Sequence, residues 1–240
     1  MFSPKNNYWG GYGIAAAQTP VAAGLAFAQK YINTQGISIC FLGEGSVNQG
    51  VFHETLNLAS LFELPVVYII ENNIYSFWTH VDKKSAYPES LAKRAESYNI
   101  EWSTCKSWDI METRNCLEAA FNSVRTNGRP YVVEIHTYRF YGFTVADTRS
   151  NKCRTSEEIE FHKEYRDPLK NWRQHILKEQ ILSESEILEI DSAAKKEANS
   201  AADFAKISPA PTAANICEDV YWEVDHHTEQ SKNGKYFFNS

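Results

Sequence analysis

Ile37-Ser38-Ile39-Cys40-Phe41-Leu42, ending in Gly43-Glu44-Gly45, and Pro65-Val66-Val67-Tyr68-Ile69-Ile70, ending in Glu71-Asn72-Asn73, are two apolar runs that each stop in polar, turn-forming residues. Their length and β-branched content predict buried strands. Between them, Val51 to Phe62 puts Phe52, Leu56 and Ala59 on one face at helical spacing. Strand, helix and strand in that order make a βαβ unit. Strands apolar on both faces belong in a parallel sheet covered by helices.

The pattern extends outward on both sides. Ala15 to Tyr31 is Ala-rich and reads as a helix, with Pro20 tolerated near its start, and Gly36 breaks the chain after it. Cys116 to Thr126 has Leu117, Ala120, Phe121 and Val124 at helical spacing; Gly128 and Pro130 close it, and Tyr131-Val132-Val133-Glu134-Ile135 reads as a further strand. The fold class is therefore α/β, a doubly wound, mainly parallel sheet over residues 1–145. Residues 146–156 are polar with mixed charge and read as a loop. Residues 157–215 read as a helical extension, rich in Glu, Lys, Ala and Leu from Glu157 to Ala205, with Pro209 and Pro211 punctuating its end. Residues 216–240, with His226-His227, read as a tail.

Composition narrows the class. A chain of 240 residues with 43% hydrophobic and 22% charged residues can bury one good core. No apolar run reaches the roughly 20 residues that span a bilayer, and no signal-peptide order precedes the first helix. The expectation is a cytoplasmic protein without a membrane partner. The net charge of −6, with no basic stripe, argues against nucleic acid. Five cysteines (Cys40, Cys105, Cys116, Cys153, Cys217) without CxxC spacing read as reduced thiols.

Ligands of open parallel sheets bind beyond the carboxyl ends of the strands. If the two strands are neighbours, Glu44 and Asn73 emerge at one edge, a carboxylate and an amide oxygen within reach of a hard cation such as Mg²⁺ that also holds a phosphate. Glycines allow close backbone approach, and a helix starting near Val51 points its N–H groups there. A structural loop capped by Asn-Asn accounts for the same residues. A dinucleotide fingerprint does not, because Gly50 comes too late for its third glycine.

The order of motifs goes further. Gly43-Glu44-Gly45 followed by Asn72-Asn73 resembles the thiamine diphosphate signature. With Gly10-Gly11-Tyr12-Gly13-Ile14, Ala17-Gln18-Thr19-Pro20, Asn48-Gln49-Gly50, Leu64-Pro65-Val66, Ile74-Tyr75 and Thr137-Tyr138-Arg139, the chain resembles the alpha subunit of the 2-oxoacid dehydrogenase family from about Asn7 to Pro211. The resemblance implies thiamine diphosphate and Mg²⁺ as cofactors and a beta-type subunit that supplies the activating glutamate. It implies decarboxylation of a 2-oxo acid and passage of the acyl group to a lipoyl-bearing acyltransferase. Carried over by position, Glu44, Asn73 and the Tyr75 carbonyl are the metal ligands. Gly45 and Ser46 offer backbone N–H groups to the diphosphate, Gly13 and Ala15 touch the aminopyrimidine, and Asn48 and Gln49 brace the loop.

Departures from the family pattern modify these expectations. Glu44 stands where the family has the shorter aspartate. Tyr141-Gly142-Phe143-Thr144 stands where it has His-Gly-His-Ser, so Phe143 replaces the family histidine and no catalytic residue is assigned to this chain. Phenylalanine neither donates to a diphosphate oxygen nor shuttles a proton. His136 and His162 read as ordinary strand or surface histidines, and Thr144 as an unmodified loop threonine. Lys106-Ser107 replaces a family Asp-Gly before Asp109. For the family segment preceding the Gly-Gly motif, with its Tyr-Arg pair, two expectations stand: that it is absent, or that it is encoded as a separate chain. Two alternatives follow: a cofactor-less structural or regulatory subunit, or a thiamine diphosphate carboligase or acyltransferase that does not use lipoate.

Overall fold

A computed structural model describes residues 3–144, 147, 153–213 and 215. In chain order its main elements are α1 (Gln18–Tyr31), β1 (Ser38–Gly43), α2 (Gly50–Leu61), β2 (Val66–Asn72), β3 (Tyr75–Ser76), β4 (Thr79–His80), β5 (Glu101–Lys106), α3 (Ile110–Asn127), β6 (Tyr131–His136), α4 (Ser156–Tyr165), α5 (Pro168–Lys178) and α6 (Glu184–Ile207). Two compact units result, Met1–Ile181 and Leu182–Ser240. The tail at 216–240, Cys217 and most of the loop at 146–156 lie outside the described residues.

In the first unit, β1, β2, β6 and β5 pair in that order, and every pairing is parallel. Alternation along the strands sends side chains to two faces. Cys40, Leu42, Tyr68, Ile70 and Val132 pack with Ala22, Ala23 and Ala26 of α1 and Phe52, Leu56 and Ala59 of α2. Val67, Ile69, Val133 and Cys105 pack with Ala120 and Val124 of α3. The expected βαβ unit and the doubly wound sheet are both present. Pro20 lies in the first turn of α1, where its missing N–H has no intrahelical partner to lose.

Three differences from the sequence reading have physical causes. β1 is an edge strand, and its alternate residues Ile39 and Phe41 remain 43% and 56% exposed, so only one of its faces is covered. The opposite edge strand, β5, was not legible: Glu101-Trp102-Ser103-Thr104-Cys105-Lys106 buries only Cys105 fully and carries no apolar alternation. The stretch from Glu157 to Ala205 forms α4, α5 and α6. Asp167 caps α5 through Leu169 N and Lys170 N with Pro168 in its first turn, and Ser183 and Glu186 form a capping box on α6. The helices α4 and α5 belong to the first unit and α6 to the second. No helix among the described residues is long and apolar enough to cross a membrane.

Candidate functional site

Parallel registry sets the site. Gly43 at the end of β1 lies opposite Glu71 near the end of β2, so Glu44 and the Asn72-Asn73 pair leave the sheet at one edge. Gln18 of α1 donates through Nε2 to the Phe41 carbonyl at 3.0 Å, which brings the segment before α1 to the same end of β1. Gly13 and Ala15 on that segment are exposed.

The β1–α2 turn is held tightly. A side chain on Gly45 would place its Cβ 2.2 Å from Ser76 Oγ, so only glycine permits this approach of the β3–β4 hairpin. Ser46 opens a single 3₁₀ turn, Ser46–Asn48. Arg94 fastens that turn, donating to Val47 O at 2.8 Å and Asn48 Oδ1 at 2.9 Å, so Asn48 braces the loop as expected.

The turn after β2 is strained and over-determined. Ile74 has φ +74°, which a β-branched residue rarely adopts. Its N–H donates to Asn72 Oδ1 at 3.0 Å, and its carbonyl accepts from Val81 N at 2.8 Å. Asn73 Oδ1 accepts from Tyr75 N at 3.2 Å. Strain of this kind costs about 1–3 kcal/mol and persists only where surrounding contacts impose it. Here it reverses the chain directly after Asn73 and leads into the β3–β4 hairpin.

Two charged residues missed in the sequence hold the edge together. Glu134 of β6 is fully buried; it accepts from Asn72 Nδ2 at 2.7 Å and from the Leu91 and Ala92 amides at 2.7 and 3.0 Å. Its signal was a carboxylate inside an apolar strand. Lys84 donates to Glu44 Oε1 at 2.7 Å, with the Glu44 side chain 2% exposed. No pattern marked it, because Lys83-Lys84 resembles an ordinary solvated face.

Tyr75 divides its roles. Its carbonyl accepts from Arg139 Nη2 at 3.4 Å, while its hydroxyl donates to Glu158 Oε2 of α4 at 3.1 Å. Tyr138 donates to the other Glu158 oxygen at 3.0 Å. Burial, then the Glu158 carboxylate, pushes both phenols up to about 12. His162 of α4 stacks on Tyr138 with ring centroids 3.7 Å apart and is buried, which corrects its reading as a surface or strand histidine. His136 does end a strand, β6. Phe143 is half exposed, its ring 4.5 Å from that of Phe77 and 5.5 Å from the Arg139 guanidinium.

The donor chemistry suits a metal-bridged diphosphate. Among the described residues no three His, Cys, Asp or Glu side chains cluster to hold a metal. An ion at this edge would have one carboxylate with amide and backbone oxygens to draw on, the hard-oxygen set Mg²⁺ uses when phosphate completes its shell. Glu44, Asn73 and the Tyr75 carbonyl keep acceptor capacity beyond the N–H groups already on them, since each oxygen has two lone pairs. Arg139 Nε is buried without a hydrogen-bond partner among the described residues, a donor an anion at this edge would satisfy. Lys84 adds a complication. At an effective dielectric of 20, unit charges 4 Å apart interact by about 4 kcal/mol, so a divalent ion near the ammonium meets roughly 8 kcal/mol of repulsion unless phosphate charge offsets it.

Comparison with known proteins identifies the family. The chain matches the family described as Dehydrogenase E1 component over residues 1–214. It is similar to the pyruvate dehydrogenase E1 component subunit alpha of Rickettsia bellii, at 39% identity over 92% of this chain and 67% of the relative. The corresponding subunit of Zymomonas mobilis is 36% identical over 92% of this chain and 61% of its own length. The alpha subunit of acetoin:2,6-dichlorophenolindophenol oxidoreductase from Bacillus subtilis is 35% identical over 88% of this chain and 62% of its own length.

Proposed function

The chain belongs to the dehydrogenase E1 component family, and on that premise we propose that it is the alpha-type subunit of a thiamine diphosphate-dependent 2-oxoacid dehydrogenase. It works with a beta-type partner that carries the activating glutamate. The observation that supports the reading is the parallel register of β1 and β2, which brings the segments that carry Glu44 and Asn73 out at one carboxyl edge of the sheet. Thiamine diphosphate, when bound, supplies the carbanion chemistry that releases CO₂ from a 2-oxo acid and carries the acyl fragment.

The residues of this chain hold and orient. Glu44, Asn73 and the Tyr75 carbonyl coordinate Mg²⁺. The backbone N–H groups of Gly45 and Ser46 donate to the diphosphate, and Gly13 and Ala15 present backbone atoms to the aminopyrimidine. The uncovered apolar face of β1, with Ile39 and Phe41 exposed, supports assembly with another chain. A lipoyl-bearing acyltransferase is the acceptor in this reading.

A second reading rests on Phe143. Its ring packs on Phe77 and beneath Arg139 and offers no proton donor or acceptor. The acyl fragment then goes to an acceptor other than lipoate. The test is CO₂ release from a panel of 2-oxo acids by the chain co-purified with its beta-type partner, with a lipoyl domain or an artificial electron acceptor. Turnover with both supports the first reading, and turnover with the artificial acceptor alone supports the second. No CO₂ release from any 2-oxo acid contradicts both.

A further inference from the structure

Resting on the cofactor reading above, we propose that Lys84 is a built-in cation of the diphosphate site, donating to a diphosphate oxygen and sharing Glu44 with the metal. The ammonium is 2.7 Å from Glu44 Oε1, and both side chains are largely buried, at 15% and 2% exposure. It also lies 3.7 Å from the point where a Cβ on Gly45 would stand, against the backbone whose N–H groups face the diphosphate. One donor therefore lies against the β1–α2 turn.

The placement is fixed by the same strained turn that presents Asn73. Val81 N donates to Ile74 O at 2.8 Å, Val81 is buried, and Lys84 N donates to Val81 O at 3.1 Å. The backbone from Ile74 to Lys84 thus closes on itself and aims the lysine back at Glu44. An ammonium has three N–H donors, and Glu44 engages one of them in the described contacts. The remaining donors suit a phosphate oxygen, for which lysine acts as a point charge. The longer side chain at position 44 gives its carboxylate the reach to meet both an ammonium and a metal.

Charge gives this arrangement a signature with two opposite signs. Lys84 attracts the diphosphate and repels Mg²⁺, because both cations face one carboxylate. Diphosphate binding is consequently less dependent on metal than a site with Glu44 alone would be. Replacing the lysine by a neutral residue weakens diphosphate binding without metal and lowers the Mg²⁺ concentration needed to saturate the loaded site.

The experiment is isothermal titration of the chain with its beta-type partner, using thiamine diphosphate and inorganic diphosphate, first with Mg²⁺ chelated and then across a Mg²⁺ series. Wild type is expected to bind both ligands measurably without metal. Lys84→Gln is expected to lose roughly tenfold or more of that affinity, the range for one hydrogen bond to a charged group, while its half-saturating Mg²⁺ falls. Lys84→Arg is expected to retain the metal-free binding. Wild type that binds only with Mg²⁺ overturns the role of Lys84 and leaves the cofactor reading standing. Wild type that binds under neither condition overturns the cofactor reading itself. Weaker binding of both diphosphate and Mg²⁺ by Lys84→Gln reveals a merely structural ion pair and also overturns the proposal.

Discussion

Glu134 shows how one side chain ties the sheet to the site. Its two oxygens accept from Asn72 on the neighbouring strand and from the amides of Leu91 and Ala92, which open the short 3₁₀ helix Ala92–Tyr98. Asn72 in turn accepts from Ile74 N and stabilises the turn that presents Asn73. Glu134→Gln turns an amide NH₂ toward one of these donor groups and leaves buried N–H groups without an acceptor. It should lower unfolding stability by about 2–3 kcal/mol, read by urea denaturation. It should also weaken cofactor binding through Asn73. A loss below 0.5 kcal/mol would remove Glu134 from this role, since surface substitutions stay within about that range. At this scale the sequence was uneven. Glu44 and Asn73 were readable because each ends an apolar run. Lys84 was not, because its partner is 40 positions away and nothing local distinguishes it from a solvated lysine.

Helices and strands were legible where packing imposed a period. β1, α2, β2 and β6 bury continuous or alternating apolar residues, and their positions could be read to within about three residues. β5 was missed because an edge strand with one buried residue needs no pattern, and the two-residue strands β3 and β4 are too short to have one. The break between α4 and α5 did have a local signal, Asp167-Pro168, overridden by the charge-rich helical composition around it. Asp167→Ala removes the acceptor for Leu169 N and Lys170 N and should cost about 1 kcal/mol, measured by thermal melting. The packing of α4 carries a pH dependence. Burial, then Arg166, holds the His162 ring below its ordinary 6.5, and the Glu158 carboxylate opposes them. The folded state therefore binds its proton less readily than the unfolded state, so the stabilisation is present above pH 6.5 and is lost as pH falls. Melting temperature should drop between pH 7 and pH 5, and His162→Phe should reduce that slope while also removing the unpartnered buried Nδ1. An unchanged slope in His162→Phe would place the acid sensitivity elsewhere.

For the whole molecule, the role proposed for the carboxyl edge of β1 and β2 is to bind thiamine diphosphate through Mg²⁺ on Glu44 and Asn73, in a complex with a beta-type chain. Family membership supports the cofactor, and the residues proposed to hold it lie on segments that leave the sheet at this edge. The identity of the 2-oxo acid was not legible in the sequence, because none of the motifs that mark the family specifies the part of the substrate that varies between 2-oxo acids. The most direct measurement is thermal melting of the complex with and without thiamine diphosphate and Mg²⁺, comparing wild type with Glu44→Ala. Wild type should gain about 2.7 kcal/mol at a ligand concentration 100 times its dissociation constant, and Glu44→Ala should gain nothing at that concentration while remaining bound to its partner. An equal gain in the two proteins would contradict the account.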